Sequence, residues 1–209
     1  MVALVLKTCG DPGVAALVAE TGVLAAEVLP GRGTSERLMP AVRKLLADAG
    51  MTVRQLGAVG VVVGPGSFTG VRVGLGAAKG LCEAVGVGMV GVSRLALVAA
   101  AGNGVGRVVA VLDGGRGEYY CGIYKDAVCL REELLDESAT RACISEGLAL
   151  TCEERVSERL GIPLVAEPGA ETMRAVVFAR AAAAEWSDVA TIDANYLRRT
   201  DAELLVKAK

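Results

Sequence analysis

The stretch Gly64-Pro65-Gly66-Ser67-Phe68-Thr69-Gly70 is the part of this 209-residue chain best equipped to meet a small charged ligand. It follows an apolar, β-branched run, Ala58 to Val63, and precedes a segment of helical composition. Free N–H groups at a helix start attract anions, so Gly64, Gly66, Ser67, Thr69 and Gly70 are the candidate phosphate or nucleotide contacts. The stretch is not a Walker-type loop, because Val71 follows Gly70 where that loop requires lysine. A true GxGxxG occurs at Gly86, Gly88 and Gly91, but it leaves a helix and enters a strand, the reverse of the dinucleotide-binding context.

The rest of the chemical inventory is sparse. The chain has no histidine, which excludes Ser-His-Asp and Cys-His machinery and any histidine base. Six cysteines, Cys9, Cys82, Cys121, Cys129, Cys143 and Cys152, form no CxxC pair and read as small buried hydrophobes. They give no metal spacing, and no metal site or cofactor is expected. Asp113, Arg116 and Glu118 cluster at a hairpin turn, where a salt-bridged solvated tip and a ligand site are both open readings.

A net charge of −2 and a pI near 5.4 argue against a chain that grips nucleic acid by itself; the densest basic patch is Arg198-Arg199. The hydrophobic fraction is 53% and the mean hydropathy +0.47, yet no run reaches 18 uninterrupted apolar residues. No membrane span is expected, and the apolar start lacks the basic leader of a signal peptide. The expected location is cytoplasmic.

These groups need elements to hold them. Val2 to Leu6, Val14 to Val18 and Val23 to Leu29 read as an antiparallel opening of three strands. A helix Ser35–Asp48 follows, with Thr34 or Ser35 as its cap, Pro40 near its start and Leu38, Val42, Leu45 and Leu46 at helical spacing. After the glycine-rich stretch come helix Val71–Val85, strand Met89 to Val92 and a helix capped by Ser93. Gly102 to Gly106 is a candidate boundary. Val108 to Leu112 and Tyr119 to Tyr124 flank a hairpin turn, signals are weak to about Pro168, and a last helix runs from about Glu171 to Trp186. The predicted organisation is two lobes, 1–105 plus 170–209 and 106–169.

Gly66, Gly70, Gly74 and Ala78 recur every four residues, with Gly76 and Gly80 nearby. Each interior helical glycine costs about 1 kcal/mol relative to alanine. Close approach of another element compensates, either inside the chain or from a partner. Met39, Ala41 and Ala47 give the first helix a second apolar face.

The string GPGSFTGVRVGLGAAKGL, followed by GVSRLALVA, closely resembles the TsaB (YeaZ) family, and TSERLMPAV, DGGRGEYYCGIY and ANYLRRTDAE are similar to further segments of it. The resemblance runs in order over nearly the whole chain. It implies an α/β, actin/Hsp70-like (ribonuclease H-like) fold of two lobes, with mixed sheets flanked by helices. It further implies a non-catalytic accessory subunit in the transfer of threonylcarbamoyl to N6 of the adenosine beside the anticodon of tRNA. Its implied partners are a TsaD-type catalytic subunit and a TsaE-type ATPase, with a homodimer when alone and tRNA met only through the complex. The partner surface carried over is Leu38, Met39, Val42, Leu45, Leu46, Val71, Gly74, Leu75, Ala78 and Leu81.

Three positions depart from the family. Lys7 stands where aspartate is usual, Thr34 where histidine is typical and Ala194 where proline is typical. Lysine at the first position disfavours a divalent cation and leaves room for a directly bound phosphate. The alternative in the enzyme class is a small ATP-binding, kinase-like protein of the same fold, with Asp113 as its acid. A degenerate peptidase is a third reading, weakened by the missing histidine and metal triad.

Overall fold

In β1 (Val2–Lys7), side chains alternate between two apolar layers: Leu4 and Leu6 enter one, Ala3 and Val5 the other. A strand covered on both faces belongs in the middle of a sheet, and β1 lies there. The computed structural model describes residues 1–31, 33–102 and 106–197. Its first sheet has the order β3-β2-β1-β4-β5, where β2 (Gly13–Ala19) and β3 (Gly22–Leu29) run antiparallel, and β4 (Ala58–Val62) and β5 (Gly88–Val92) join in parallel.

Two helices cover the Leu4/Leu6 face. Helix α1 (Thr34–Asp48) sends Leu38, Val42, Leu45 and Leu46 into the layer, and α2 (Phe68–Val85) sends Leu75, Ala78 and Cys82. Each leucine removed from water contributes about 2 kcal/mol. Helix α6 (Ala170–Ala182) covers the opposite face with Met173 and Val177. It stops at Ala182, short of the predicted Trp186, because Ala184 turns into a left-handed conformation (φ 56°).

The helix starts differ from expectation in part. Gly33, with φ 79°, caps α1, and neither Thr34 nor Ser35 does; the Thr34 hydroxyl instead donates to the Pro30 carbonyl at 2.9 Å. Pro40 lies beyond the first turn, where its missing N–H removes one intrahelical bond. Helix α2 begins at Phe68, capped by Ser67.

The second sheet has the order β8-β7-β6-β9. The hairpin β6 (Arg107–Gly115) and β7 (Glu118–Lys125) falls where predicted. Within the weak-signal region lie β8 (Val128–Asp136), α4 (Glu137–Ile144), β9 (Leu148–Leu150) and α5 (Glu154–Leu160). Helix α3 (Arg94–Ala100) sits between the two sheets, with Leu97 packed toward the first and Leu95, Val98 and Ala99 toward the second. Residues 103–105 of the candidate boundary, Arg198-Arg199 and the remainder of the tail lie outside the described residues. Among the described residues, no helix is long and apolar enough to cross a membrane.

Candidate functional site

A cleft of about 770 Å³ opens where both sheets present loops to each other. Thr8 and Gly10 reach it from the end of β1, Gly33 to Ser35 from the start of α1, and Gly66, Ser67, Thr69 and Gly70 from the start of α2. Asp113 to Gly115, Cys152 to Arg155 and Glu167 close it from the other side.

An ion network forms the floor. Lys7, 1% exposed, donates from Nζ to Glu167 Oε1 at 2.6 Å. Arg94, 5% exposed, donates to Glu167 Oε1 through Nε at 3.3 Å and to Oε2 through Nη2 at 2.8 Å. Its Nη1 donates to Glu153 Oε1 at 2.9 Å, and Glu153 Oε2 accepts from the Asp113 backbone N–H at 2.6 Å. The network therefore links β1 and α3 to β6, the start of α5 and the segment before α6. Gly10 makes room for it: with φ at +87°, a methyl group there would lie 2.7 Å from Glu167 Oε1.

The electrostatics follow from the pairing. Burial pushes the Glu167 carboxyl up, but the hydrogen bonds and charge of Arg94, then Cys152 and Lys7, outweigh it and hold it below the usual glutamate range. Burial pulls the Arg94 guanidinium down, and Glu167, Cys152 and Glu153 more than offset this, so it stays charged. Burial, partly opposed by Arg94, pushes the Cys152 thiol up to about 12. This thiol is no nucleophile at neutral pH.

Four of the five proposed phosphate contacts, Gly66, Ser67, Thr69 and Gly70, line the cleft; Gly64 does not. Gly64 is buried behind it, accepting the Arg94 backbone N–H at 2.7 Å. Ser67 Oγ accepts from the Gly70 N–H, and Gly70 O accepts from the Thr8 hydroxyl at 2.6 Å. The α2 start is thus partly satisfied from within. Among the described residues, no group of three candidate ligands is placed to hold a metal.

Known proteins share this architecture. The family model described as TsaD, tRNA N6-adenosine threonylcarbamoyltransferase, matches residues 23–186. The solved structure of YeaZ from Pseudomonas aeruginosa superposes with a TM-score of 0.74 at 27% identity, covering 94% of this chain and 99% of that one. The Escherichia coli tRNA threonylcarbamoyladenosine biosynthesis protein TsaB is 38% identical over 97 residues. The chain belongs to the TsaB (YeaZ) family. Its fold is accordingly the two-lobed actin/Hsp70-like one. An uncharacterized protein of Mycobacterium tuberculosis is 34% identical over 83% of this chain and 79% of its own length. The E. coli TsaB match spans 45% of this chain and 42% of that relative's length, and the Bacillus subtilis TsaB match spans 45% of its relative. The chain thus spans less than half the length of the curated TsaB relatives it matches.

For a TsaB-family chain, the partner surface expected from sequence needs correcting. Leu38, Val42, Leu45, Leu46, Val71, Gly74, Leu75 and Ala78 are buried in this chain's own layers; only Met39 and Leu81 are partly exposed. Their helical spacing marks the inward stripe, as amphipathic spacing usually does. Likewise, Gly70 and Gly74 are explained within the chain: methyl groups there would lie 2.2 Å from Thr8 O and Thr8 Oγ1. Gly76 and Gly80 are different. They are exposed, and a methyl group at either would meet nothing within 4 Å.

Several site residues escaped the sequence reading. Arg94 looked like an ordinary first residue of a capped helix, and Glu153 and Glu167 sat in the weak-signal region, with no local pattern marking them as partners of Lys7. Phe68, inside the glycine-rich stretch, carries no local sign of its contacts. Its ring, 49% exposed, lies under the Arg72 guanidinium at 3.9 Å, and Arg72 Nε donates to Tyr196 Oη at 2.8 Å. This exposed aromatic–arginine–aromatic group heads the α2 face that carries Gly76 and Gly80.

Among the six cysteines, Cys9, Cys82, Cys121 and Cys143 are buried as expected, whereas Cys152 is half-buried and Cys129 is exposed on β8.

Proposed function

We propose that this chain is a non-catalytic accessory subunit in tRNA threonylcarbamoyladenosine formation, acting through a TsaD-type catalytic partner and alongside a TsaE-type ATPase. It works in the cytoplasm, pairs with itself when the partner is absent, and meets tRNA only within the complex. Its docking surface is the outward face of α1 and α2, not the apolar stripe beneath.

The observation that carries this reading is the pair Gly76 and Gly80. A mid-helix glycine costs about 1 kcal/mol against alanine, and no described residue comes within 4 Å of a methyl group placed at either position. A partner helix approaching to near backbone distance would need both. The names of the TsaB relatives support the pathway, and the TsaD family match supports descent from the same fold as the catalytic partner.

The kinase-like alternative gains no support. Its acid, Asp113, is exposed at a hairpin, and two carboxylates of the cleft, Glu153 and Glu167, are committed to Arg94 and Lys7.

The test is co-migration of the purified chain with a TsaD-type protein on gel filtration, wild type against Gly76→Leu/Gly80→Leu. The variant should stay folded and lose the complex. A wild-type chain that never co-migrates, or a variant that binds as well, sinks the reading.

A further inference from the structure

We infer that Lys7 and Arg94 form an oxyanion-binding site at the floor of the cleft, and that Glu167 is its built-in occupant. Three donors converge on one planar carboxylate: Lys7 Nζ, Arg94 Nε and Arg94 Nη2. The side-on fork of a guanidinium plus a third cationic donor is the geometry by which proteins recognise carboxylates and phosphates.

The backbones that carry the donors belong to regular elements, and Arg94 keeps a second carboxylate partner when the occupant leaves. Lys7 is the last residue of β1, in the middle of a sheet. Arg94 is the first residue of α3, with its backbone N–H on Gly64 O and its Nη1 on Glu153. Glu167, by contrast, comes from the irregular segment between α5 and α6, and its side chain is 18% exposed on the cleft. An acid from an irregular segment rests on two cations carried by regular elements. Taking Glu167 away leaves two buried positive charges facing one carboxylate, Glu153.

The ligand class is therefore a small oxyanion, a carboxylate or a phosphate group, that enters through the cleft and takes the place of the Glu167 side chain. Thr8 and Gly10 border the entry, and Gly10 lacks the side chain that would obstruct it. In the wild type, the tethered carboxylate competes with any free anion at high effective concentration, so binding from solution is weak.

Thermal melts and calorimetry with sodium phosphate and sodium formate, against sodium chloride at equal ionic strength, test this. Glu167→Ala should bind at least one of the two oxyanions ten-fold or more tighter than wild type, with a saturable rise in Tm. Phosphate alone identifies a phosphate ligand, and formate alone a carboxylate ligand. Adding Lys7→Met to Glu167→Ala should erase the gain. Glu167→Ser likewise vacates the position; should the alanine variant not fold, the serine variant is read the same way. No gain for either anion in the folded variants, or a gain that survives Lys7→Met, overturns the inference.

Discussion

Lys7 Nζ and Glu167 Oε1, 160 residues apart in sequence, lie 2.6 Å from each other and tie the end of β1 to the segment that precedes α6. The pair is asymmetric. Glu167 also holds Arg94, whereas Glu167 is the carboxylate that Lys7 meets among the described residues. Removing one member of a buried pair leaves the other charge uncompensated, at about 3–5 kcal/mol. Glu167→Ala should fall in that range, and Lys7→Met should cost clearly less, since Glu167 keeps its guanidinium. Adding Lys7→Met to Glu167→Ala should then cost little more, or relieve part of the loss. Urea unfolding of the four proteins of the cycle measures this, and additive single costs contradict it.

The same carboxyl sets an acid limit. Its folded value is depressed from the ordinary 4.5, because Arg94 and Lys7 outweigh burial. A depressed carboxylate stabilises the fold above its unfolded value and loses that contribution as pH falls through the folded value. The difference in stability between wild type and Glu167→Gln should be constant from pH 7 to about 5, then shrink below 4.5. Melts of both proteins across that range check it; a gap that widens in acid is the opposite result.

Two pairs of glycines on α2 should respond in opposite senses. Gly76→Ala and Gly80→Ala place a methyl group in open space and should each stabilise the isolated chain by up to about 1 kcal/mol. Gly70→Ala and Gly74→Ala drive one into Thr8 and should destabilise by about 1–3 kcal/mol. Chemical denaturation of the four single variants separates the pairs. If all four destabilise, the exposed face of α2 is not open.

What was legible in the sequence follows from how local each signal is. β1 and β4 showed as continuous apolar runs, and α1 as a 3.6-residue stripe, because a single periodicity encodes burial on both sides. β8 did not show: VCLREELLD is an edge strand with most side chains exposed, so it carries neither alternation nor an apolar run. The partner surface that the family resemblance puts on α1 includes this stripe, but spacing states only which residues share a face. It does not say whether that face looks inward. The Lys7 substitution was visible, while its partner Glu167 was not, since pairing across 160 residues leaves no local pattern.

Cysteine reactivity should divide by position. Burial pushes the thiols of Cys82 and Cys121 up to about 11 and that of Cys152 to about 12. Cys129 is also raised, by burial and by the charge of Glu132, but it is the exposed one of the six. Alkylation of the native protein at pH 8, followed by mass spectrometry of the peptides, should place the first modification on Cys129. Early labelling of Cys82 or Cys121 would mean that the core opens readily.

The last prediction concerns the group at the head of α2. Phe68 is half exposed, and its ring packs against the Arg72 guanidinium and, at 5.7 Å, the Tyr196 ring. Aromatic and arginine side chains dominate the energetics of interfaces when a partner excludes water from them. In the isolated chain the same group contributes little, because it is already in water. Phe68→Ala should leave the stability of the isolated chain within about 0.5 kcal/mol of wild type, while affinity for a TsaD-type partner falls at least ten-fold. Titration of the partner monitored by calorimetry, beside urea unfolding of the variant alone, reads the two effects separately. Lost stability with unchanged affinity would assign the stack to the fold of this chain, and the docking face would then have to lie elsewhere on α1 and α2.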